Sequence, residues 1–154
     1  MAEFSIRVAQ KDDAAIILGF IEGIAEYEKL SHAVEATVEK IEEHLFGARA
    51  YAECLLAYEG TTAVGFVLFF HNYSTFVSKP GIYLEDLFIN PAYRGKGYGK
   101  ALLLNLFEIA KERNCGRVEW SVLDWNQSAI DFYLSLGAVP MNGWTVFRKK
   151  VASR

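Results

Sequence analysis

The apolar residues of this chain recur with the two periods that distinguish strands from helices. In FSIRVA (residues 4–9) apolar and polar side chains alternate, which predicts a first strand. Residues 14–30 carry apolar side chains at helical spacing behind Asp12 and Asp13, either of which is a plausible helix cap. A second helix is predicted over residues 36–46. The N-terminal third therefore predicts one strand followed by two helices.

The middle of the chain predicts a β-hairpin, a further strand and a long helix. Residues 51–60 and 62–73 are apolar runs that meet at a short Glu-Gly-Thr turn, an arrangement typical of a hairpin. Residues 82–89 form the next predicted strand. A helix then follows over residues 100–114.

The C-terminal third predicts a strand over residues 117–123, a helix over 127–137 and a last strand near 144–150. The complete order is β, α, α, β, β, β, α, β, α, β. It indicates an α/β protein with a mixed central sheet, because helices are needed where neighbouring strands run parallel. No repeat or linker interrupts this order, so we expect a single domain over residues 1–154.

Composition is that of a globular protein. The chain has 154 residues, 52% hydrophobic and 23% charged. At that length it can bury roughly 70% of the surface that its unfolded form exposes. The N-terminus shows no basic start before an apolar core, and no apolar run approaches the ~18 residues of a membrane span. We expect a cytoplasmic protein with no membrane partner, in which Cys54 and Cys115 are buried thiols rather than a disulfide.

Charge is distributed unevenly along the chain. The formal net charge of -3 gives no support to a nucleic-acid partner. Residues 1–59 hold twelve acidic and five basic side chains, and residues 60–154 hold seven and eleven. Two ordinary solvated faces would explain this asymmetry. It also fits a cationic ligand near the first part of the chain and an anionic ligand near the second.

Three glycines lie between a predicted strand and a predicted helix. Gly95, Gly97 and Gly99 fall between the strand that ends near Ile89 and the helix that begins near Tyr98. Bare backbone N–H groups and the positive end of the helix dipole then face the same point, which is a site for phosphate. A flexible turn is the simpler alternative, but a turn needs one glycine at positive φ rather than three.

Three cations accompany these glycines and add to the case for an anion. Arg94, Lys96 and Lys100 flank them, and arginine can hold phosphate oxygens through two hydrogen bonds. Two better-known phosphate motifs do not fit. A P-loop requires Ser or Thr after its lysine, whereas Ala101 follows Lys100, and the spacing is G-x-G-x-G rather than the G-x-G-x-x-G of dinucleotide-binding folds.

The segment YRGKGYGKALL (residues 93–103) resembles the Arg/Gln-x-x-Gly-x-Gly/Ala signature of the Gcn5-related N-acetyltransferases, the GNAT superfamily. FSIRVA, AEYEKL, IYLEDLFI, DWNQSAIDFY and GW also occur in the order and spacing of its spermidine/spermine branch, which includes diamine and thialysine acetyltransferases. The resemblance covers roughly residues 4–148. It implies a GNAT fold, with a central mixed, mostly antiparallel sheet flanked by helices on both faces, acetyl-CoA as cosubstrate and a homodimer.

The resemblance also implies which residues contact the cosubstrate. Backbone groups of the strand hydrogen-bond the pantetheine arm, the glycine loop holds the pyrophosphate, and two residues of the later helix complete the set. Asn126 is independently a good helix N-cap by its residue type. The implied cofactor-binding residues are Leu87, Phe88, Ile89, Arg94, Gly95, Lys96, Gly97, Tyr98, Gly99, Lys100, Asn126 and Tyr133.

Acetyl transfer to an amine requires proton handling. A primary amine with a pKa near ~10.4 is protonated at neutral pH, so a base must take its proton. Glu85 and Asp86 are adjacent on a predicted strand, so we expect their side chains to point to opposite faces. By resemblance Glu85 is the proton acceptor, directly or through water, and Asp86 binds the amine. A solvent-facing and a structural carboxylate are the alternative.

Two further residues receive roles from the resemblance. Tyr133 matches the family tyrosine that protonates the leaving thiolate; alone, it would be a core residue of an amphipathic helix. Glu28 follows Ile17, Ile21 and Ile24 at helical spacing and so lies on the apolar face. In the family branch the matching glutamate faces the amine, and Glu26 and Tyr27 are further candidates beside it. A surface glutamate at a helix end is the alternative.

These residues lead to a functional hypothesis. The chain is expected to be an acetyl-CoA dependent N-acetyltransferase that acts on a small polyamine, diamine or thialysine/lysine-like amine. No metal is expected, because direct transfer from a thioester needs none and His32, His44 and His71 lack metal spacing. A protein or peptide amine as acceptor stays open. So does a non-catalytic CoA-binding module, although the presence of both Glu85 and Tyr133 argues against it.

Overall fold

A computed structural model describes residues 2–153, which contain five strands and four α-helices. The strands are β1 (Phe4–Val8), β2 (Glu53–Glu59), β3 (Thr62–Ser74), β4 (Lys79–Ile89) and β5 (Val118–Glu119). The helices are α1 (Ala14–Tyr27), α2 (Val38–Phe46), α3 (Tyr98–Glu112) and α4 (Gln127–Ser135). No helix among these residues has both the length and the apolar character needed to cross a membrane.

The chain divides into two compact units. The first extends to Trp120 and contains the sheet with α1, α2 and α3. The second begins at Ser121 and contains α4. The expectation of a single domain over residues 1–154 stays a prediction.

The sheet follows chain order, β1-β2-β3-β4-β5. The first four strands pair antiparallel, whereas β4 and β5 pair parallel through Ile82 with Val118 and Tyr83 with Glu119. The long α3 connects this parallel pair, as a parallel crossover requires. The predicted mixed, mostly antiparallel α/β sheet is therefore confirmed.

Both faces of the sheet are covered. Four consecutive residues of β2, Cys54 to Ala57, are buried, as expected for a strand with apolar packing on each side. On one face Ile17 and Phe20 of α1 pack in a cluster with Phe66 and Phe88, and the rings of Phe20 and Phe66 lie 5.4 Å apart. The helix α3 contacts β2, β3 and β4 and buries a leucine stripe. That stripe consists of Leu102, Leu103 and Leu106.

The start of α1 is fixed by an ion pair rather than by a simple helix cap. Asp13 occupies the N-cap position, but its carboxylate accepts two hydrogen bonds of 2.9 Å from Arg7 of β1 and one of 2.7 Å from the backbone N–H of Gln10. The Arg7 hydrogen bond, despite burial, holds the pKa of Asp13 below its usual range. This contact ties the helix to the edge strand of the sheet.

Three expectations need correction. Residues 144–150 carry no strand, and Val146 and Phe147 are exposed, so the predicted last strand is wrong. The strand predicted over residues 117–123 is reduced to the two residues of β5. Cys54 and Cys115 are both free, as expected, but only Cys54 is fully buried, and burial raises the pKa of its thiol to about 12.

Candidate active site

The glycine loop joins the end of β4 to the start of α3. Gly95 and Gly97 have φ values of 81° and 82°, a left-handed conformation that residues with a β-carbon rarely adopt. Apart from the adjacent residues of the chain, no atom of residues 2–153 lies within 4 Å of the position where a β-carbon would stand at either glycine, so open space adjoins the loop. Gly99 differs, because it belongs to α3 and has no positive φ. Two of the three glycines are thus needed for backbone conformation.

The loop ends at the positive pole of α3. Gly97 is the N-cap, and the first intrahelical hydrogen bond runs from the Ala101 N–H to the Gly97 carbonyl at 3.0 Å. The N–H groups of the preceding first turn have no partner within the helix. No acidic side chain lies in this turn, so nothing within it offsets the helix dipole. An anion would find both donors and a favourable potential here.

Arg94 is anchored at this loop. Its Nε donates a hydrogen bond of 2.8 Å to the Ile89 carbonyl. Its guanidinium carbon lies 5.2 Å from the ring centre of Tyr27 and 5.3 Å from that of Phe88, within the range of cation–π attraction. Arg94 therefore connects the end of α1 to the glycine loop.

An acidic side chain that the sequence reading did not select also meets this loop. Glu59, the last residue of β2, accepts hydrogen bonds from Lys96 at 3.0 Å and from the Tyr98 hydroxyl at 2.5 Å. The only signal in the sequence is its place at the hairpin turn, which does not reveal a contact with a loop more than 30 residues away. Lys96 and Lys100 are both exposed.

On the side of β4 that faces β5, the hydrogen-bonded pairing stops before the strand reaches the loop. Within the described residues β5 pairs with β4 only at Ile82 and Tyr83, whereas β4 continues to Ile89. Leu87 and Phe88 pair with β3 on the other side. An extended ligand could add to this edge as a strand does.

A β-bulge places the two adjacent carboxylates of β4. Asp86 pairs with Leu68 and Leu84 pairs with Phe69, which leaves Glu85 as an extra residue. A bulge interrupts strict alternation, so the argument that placed Glu85 and Asp86 on opposite faces does not hold at this point. Glu85 is exposed and Asp86 is half-buried.

Glu28 belongs to the same acidic group. Desolvation raises the pKa of Asp86 to about 6, and the charges of Glu85 and Glu28 add to this effect. The charges of Glu28 and Glu85 therefore act on Asp86, and the sequence analysis selected all three carboxylates. We call Glu28, Glu85 and Asp86 the acidic cluster.

The end of α1 holds Glu28 in place. Lys29 adopts a left-handed conformation with φ of 61°, and the N–H of Leu30 donates to the Ala25 carbonyl at 2.7 Å while that of Lys29 donates to Glu26 at 3.1 Å. These two hydrogen bonds form a Schellman motif, which closes the helix. Glu28 is consequently the C-cap, and its carboxylate stands at the negative pole of α1.

The acidic cluster predicts a pH-dependent change in stability for Asp86→Asn. The pKa of Asp86 is about 6 in the folded protein against an ordinary value of 3.8, so the folded state holds the proton more tightly. As pH rises through this interval, ionisation favours the unfolded chain. We expect the asparagine variant to be more stable than the parent at pH 7.5, by on the order of 2 kcal/mol, and the gain to shrink towards pH 4.

Urea unfolding at both pH values measures this difference. The control is Glu108→Gln on the exposed face of α3, which should show little change at either pH. A gain of equal size for Asp86→Asn at pH 4 and pH 7.5 would contradict the assignment, since an uncharged packing effect does not depend on pH.

The second unit presents the remaining predicted residues on α4. Asn126 is the N-cap, and its side-chain oxygen accepts a hydrogen bond of 3.3 Å from the Ala129 N–H, so the predicted cap is confirmed. Tyr133 is half-buried, with its ring 5.6 Å from that of Phe132. The roles of Asn126 and Tyr133 towards a cosubstrate stay predictions.

A left-handed glycine loop leads into the N-terminus of α3, beside a bulged strand that carries carboxylates. A family model also matches this part of the chain. The model described as Acetyltransferase (GNAT) family matches residues 22–138. This is most of the chain and includes both the loop and the acidic cluster. The chain therefore belongs to the GNAT acetyltransferases, which are N-acetyltransferases.

Individual relatives narrow the comparison. The chain is 37% identical over 159 residues to the thialysine N-epsilon-acetyltransferase of Sus scrofa, covering 96% of this chain and 93% of that protein. It is 33% identical over 158 residues to the spermidine/spermine N(1)-acetyltransferase-like protein 1 of Homo sapiens, covering 96% of this chain and 23% of that protein. The predicted resemblance to the spermidine/spermine branch is confirmed.

A solved structure supports the fold. The possible acetyltransferase from Clostridium difficile 630 superimposes with a TM-score of 0.81 at 18% identity, covering 97% of this chain and 99% of that one. At this level of identity the comparison concerns the fold alone. The GNAT fold expected from the sequence is thereby confirmed.

Proposed function

We propose that this protein transfers the acetyl group of acetyl-CoA to a primary amine of a small polyamine, diamine or thialysine/lysine-like substrate. The observation that carries the proposal is the presence, in one compact unit, of the left-handed glycine loop at the start of α3 and the acidic cluster on β4 and α1. One suits a pyrophosphate and the other an ammonium group. The names of the thialysine and spermidine/spermine relatives point to the same class of substrate.

The loop suits the diphosphate of acetyl-CoA. Gly95 and Gly97 leave open space beside the backbone, and the first turn of α3 supplies N–H donors and a positive potential. Arg94 and Lys100 add positive charge, and the incomplete ladder of β4 would take up the pantetheine arm along Leu87 to Ile89. When bound, acetyl-CoA supplies the acetyl group as a reactive thioester.

The acidic cluster suits a cationic acceptor. Glu28 stands at the C-terminal pole of α1, where a negative charge is unfavourable and a bound cation is stabilising. Binding of the substrate's ammonium groups by Glu28 and Asp86 would offset this unfavourable interaction of the carboxylate with the helix dipole. Tyr27, at the same helix end, would border that site and stays a predicted substrate contact.

Two side chains would handle the protons of the reaction. Glu85, exposed at the bulge, would accept the proton that the amine must lose, directly or through a water molecule. Tyr133 would donate its phenolic proton to the sulfur as the thiolate leaves. Both roles are inferred from the resemblance and from the chemistry of these groups. Homodimer formation, a cytoplasmic location and a reaction without metal are part of the same proposal.

The acidic cluster predicts a preference for diamines. A second ammonium group gains attraction that a monoamine of similar length lacks, so diamines should be favoured by about ten-fold or more in kcat/KM. Glu28→Gln should reduce this preference through amine KM. Glu85→Gln should chiefly slow turnover and alter its pH profile, because the base and the binding charge act at different steps. Thiol release from acetyl-CoA across diamines, monoamines and peptides measures all three effects.

Each outcome of this experiment assigns a function. Equal acetylation of monoamines and diamines, together with no effect of Glu28→Gln, would reject the diamine-like substrate. Preferential acetylation of peptides would favour a protein acceptor instead. Tight CoA binding without turnover on any acceptor would indicate a non-catalytic CoA-binding module.

A further inference from the structure

We propose that Glu59 is a positioning residue for the cofactor loop, holding the side chains on either side of Gly97 so that the loop is preorganised for phosphate. One carboxylate oxygen, Oε2, accepts a hydrogen bond from Lys96 Nζ at 3.0 Å and another from the Tyr98 hydroxyl at 2.5 Å. Lys96 precedes Gly97 and Tyr98 follows it. The inference rests on the proposed function, because it assigns a role in binding acetyl-CoA.

The elements around Glu59 make it a firm anchor. It is the last residue of β2 and pairs with Phe4 of β1 and Thr62 of β3, so its backbone is held from both sides. The Tyr98 ring also stacks on the Phe4 ring, with centroids 4.2 Å apart and planes 13° apart. Tyr98, the first residue of α3, is therefore bound to the sheet by its hydrogen bond to Glu59 and by its ring contact with Phe4.

A glutamate at this place needs an explanation, because its charge opposes that of a bound diphosphate. The Tyr98 and Lys96 hydrogen bonds hold the pKa of Glu59 below its usual range, so it stays ionised at neutral pH. An anion beside an anion site weakens binding if charge alone matters. The presence of Glu59 is explained if the order that it imposes on the loop strengthens diphosphate binding by more than its negative charge weakens it.

That order has a clear physical basis. Gly95 and Gly97 both adopt left-handed conformations, and glycine has more backbone freedom to lose than any other residue. A loop that is already fixed before the ligand arrives loses less entropy on binding. Because Glu59 holds both neighbours of Gly97, it restricts the residue whose conformation directs the N–H groups at the start of α3.

Charge and positioning predict opposite results for substitution at Glu59. Glu59→Gln removes the charge but keeps an oxygen acceptor, Glu59→Ala removes both, and Tyr98→Phe removes one hydrogen bond without changing charge. Positioning predicts that Glu59→Ala raises KM for acetyl-CoA by about ten-fold, with kcat nearly unchanged and Tyr98→Phe intermediate, on the scale of one or two hydrogen bonds. Glu59→Gln should restore a KM close to that of the parent.

Glu53→Ala is the matched control. Glu53 begins the same strand and also forms an ion pair, accepting hydrogen bonds of 2.8 and 2.9 Å from Arg113 at the opposite end of β2. Its loss should leave KM for acetyl-CoA unchanged. An equal rise in KM for both alanine variants would mean that β2 acts only through general stability, and the inference would be overturned.

Calorimetric titration with CoA separates this inference from the proposed function. If the parent protein binds no CoA, the proposed function fails first. If the parent binds and Glu59→Ala binds as tightly or more tightly, the loop does not depend on Glu59 and the positioning role is rejected. If Glu59→Ala does not fold, Tyr98→Phe provides the test. Weaker CoA binding by that variant supports the proposal, and unchanged CoA affinity rejects it.

Discussion

Replacing Tyr133 with phenylalanine should lower turnover by about 100-fold or more while the protein folds as before, the usual scale for loss of a positioned acid. The substitution removes a single oxygen from a half-buried ring on α4. A phenol has a pKa near ~10 in water, so it holds its proton at neutral pH and can still give it to a thiolate that leaves. Single-turnover measurement of thiol release tests this step, with thermal unfolding as the check on folding.

The nature of the leaving group provides a sharper test of the same prediction. A thioester of a more acidic thiol needs less help in departure, so Tyr133→Phe should lose much less activity with such a donor. Tyr73→Phe is the matched control, because Tyr73 is exposed near the end of β3. An equal loss for both donors, or turnover close to that of the parent with chemistry rate-limiting, would make Tyr133 a packing residue.

The β-hairpin and the helices of the first unit could be predicted because local pattern and tertiary packing agree there. The Glu-Gly-Thr turn is bounded by two apolar runs, and Gly60 indeed adopts a positive φ of 61° between β2 and β3. Likewise the apolar stripe of α3 is buried against the sheet. In such segments each local preference points to the same structure as the global fold does.

The segment near residues 144–150 shows where local pattern misleads. Its aromatic and β-branched side chains are typical of a strand, yet a strand is stable only if another strand supplies hydrogen-bond partners. None of the described strands pairs with it, and Phe147 is 91% exposed. The local sequence pattern does not reveal whether a neighbouring strand is available for pairing.

The candidate site was predictable in its residue types but not in its geometry. The resemblance selected Glu28, Glu85 and Asp86, and the structure brings their charges together. The bulge at Glu85 was not predictable, because it arises from one extra residue in the pairing of β3 with β4, which no local pattern records. The role of Glu59 was missed for a similar reason, since its partners lie more than 30 residues away.

The largest loss of cosubstrate affinity is expected from Gly97→Ala. Gly97 has φ of 82°, where alanine is strained by roughly 1–2 kcal/mol. The loop would relieve that strain by rotating away from the left-handed region, and the N–H groups at the start of α3 would no longer converge. If these groups hold the diphosphate, KM for acetyl-CoA should rise by about ten-fold or more while KM for the amine changes little.

Gly137→Ala separates this effect from backbone strain as such. Gly137 has φ of 86°, and within the described part of the chain no atom beyond its two neighbours lies within 4 Å of its β-carbon position. Alanine therefore meets the same strain and the same open space there as at Gly97. Both variants should lose similar stability in urea unfolding, but only Gly97→Ala should weaken CoA binding measured by calorimetry. Because the two positions are matched in conformation and packing, unchanged affinity in folded Gly97→Ala would show that the anion-binding role of the loop is wrong.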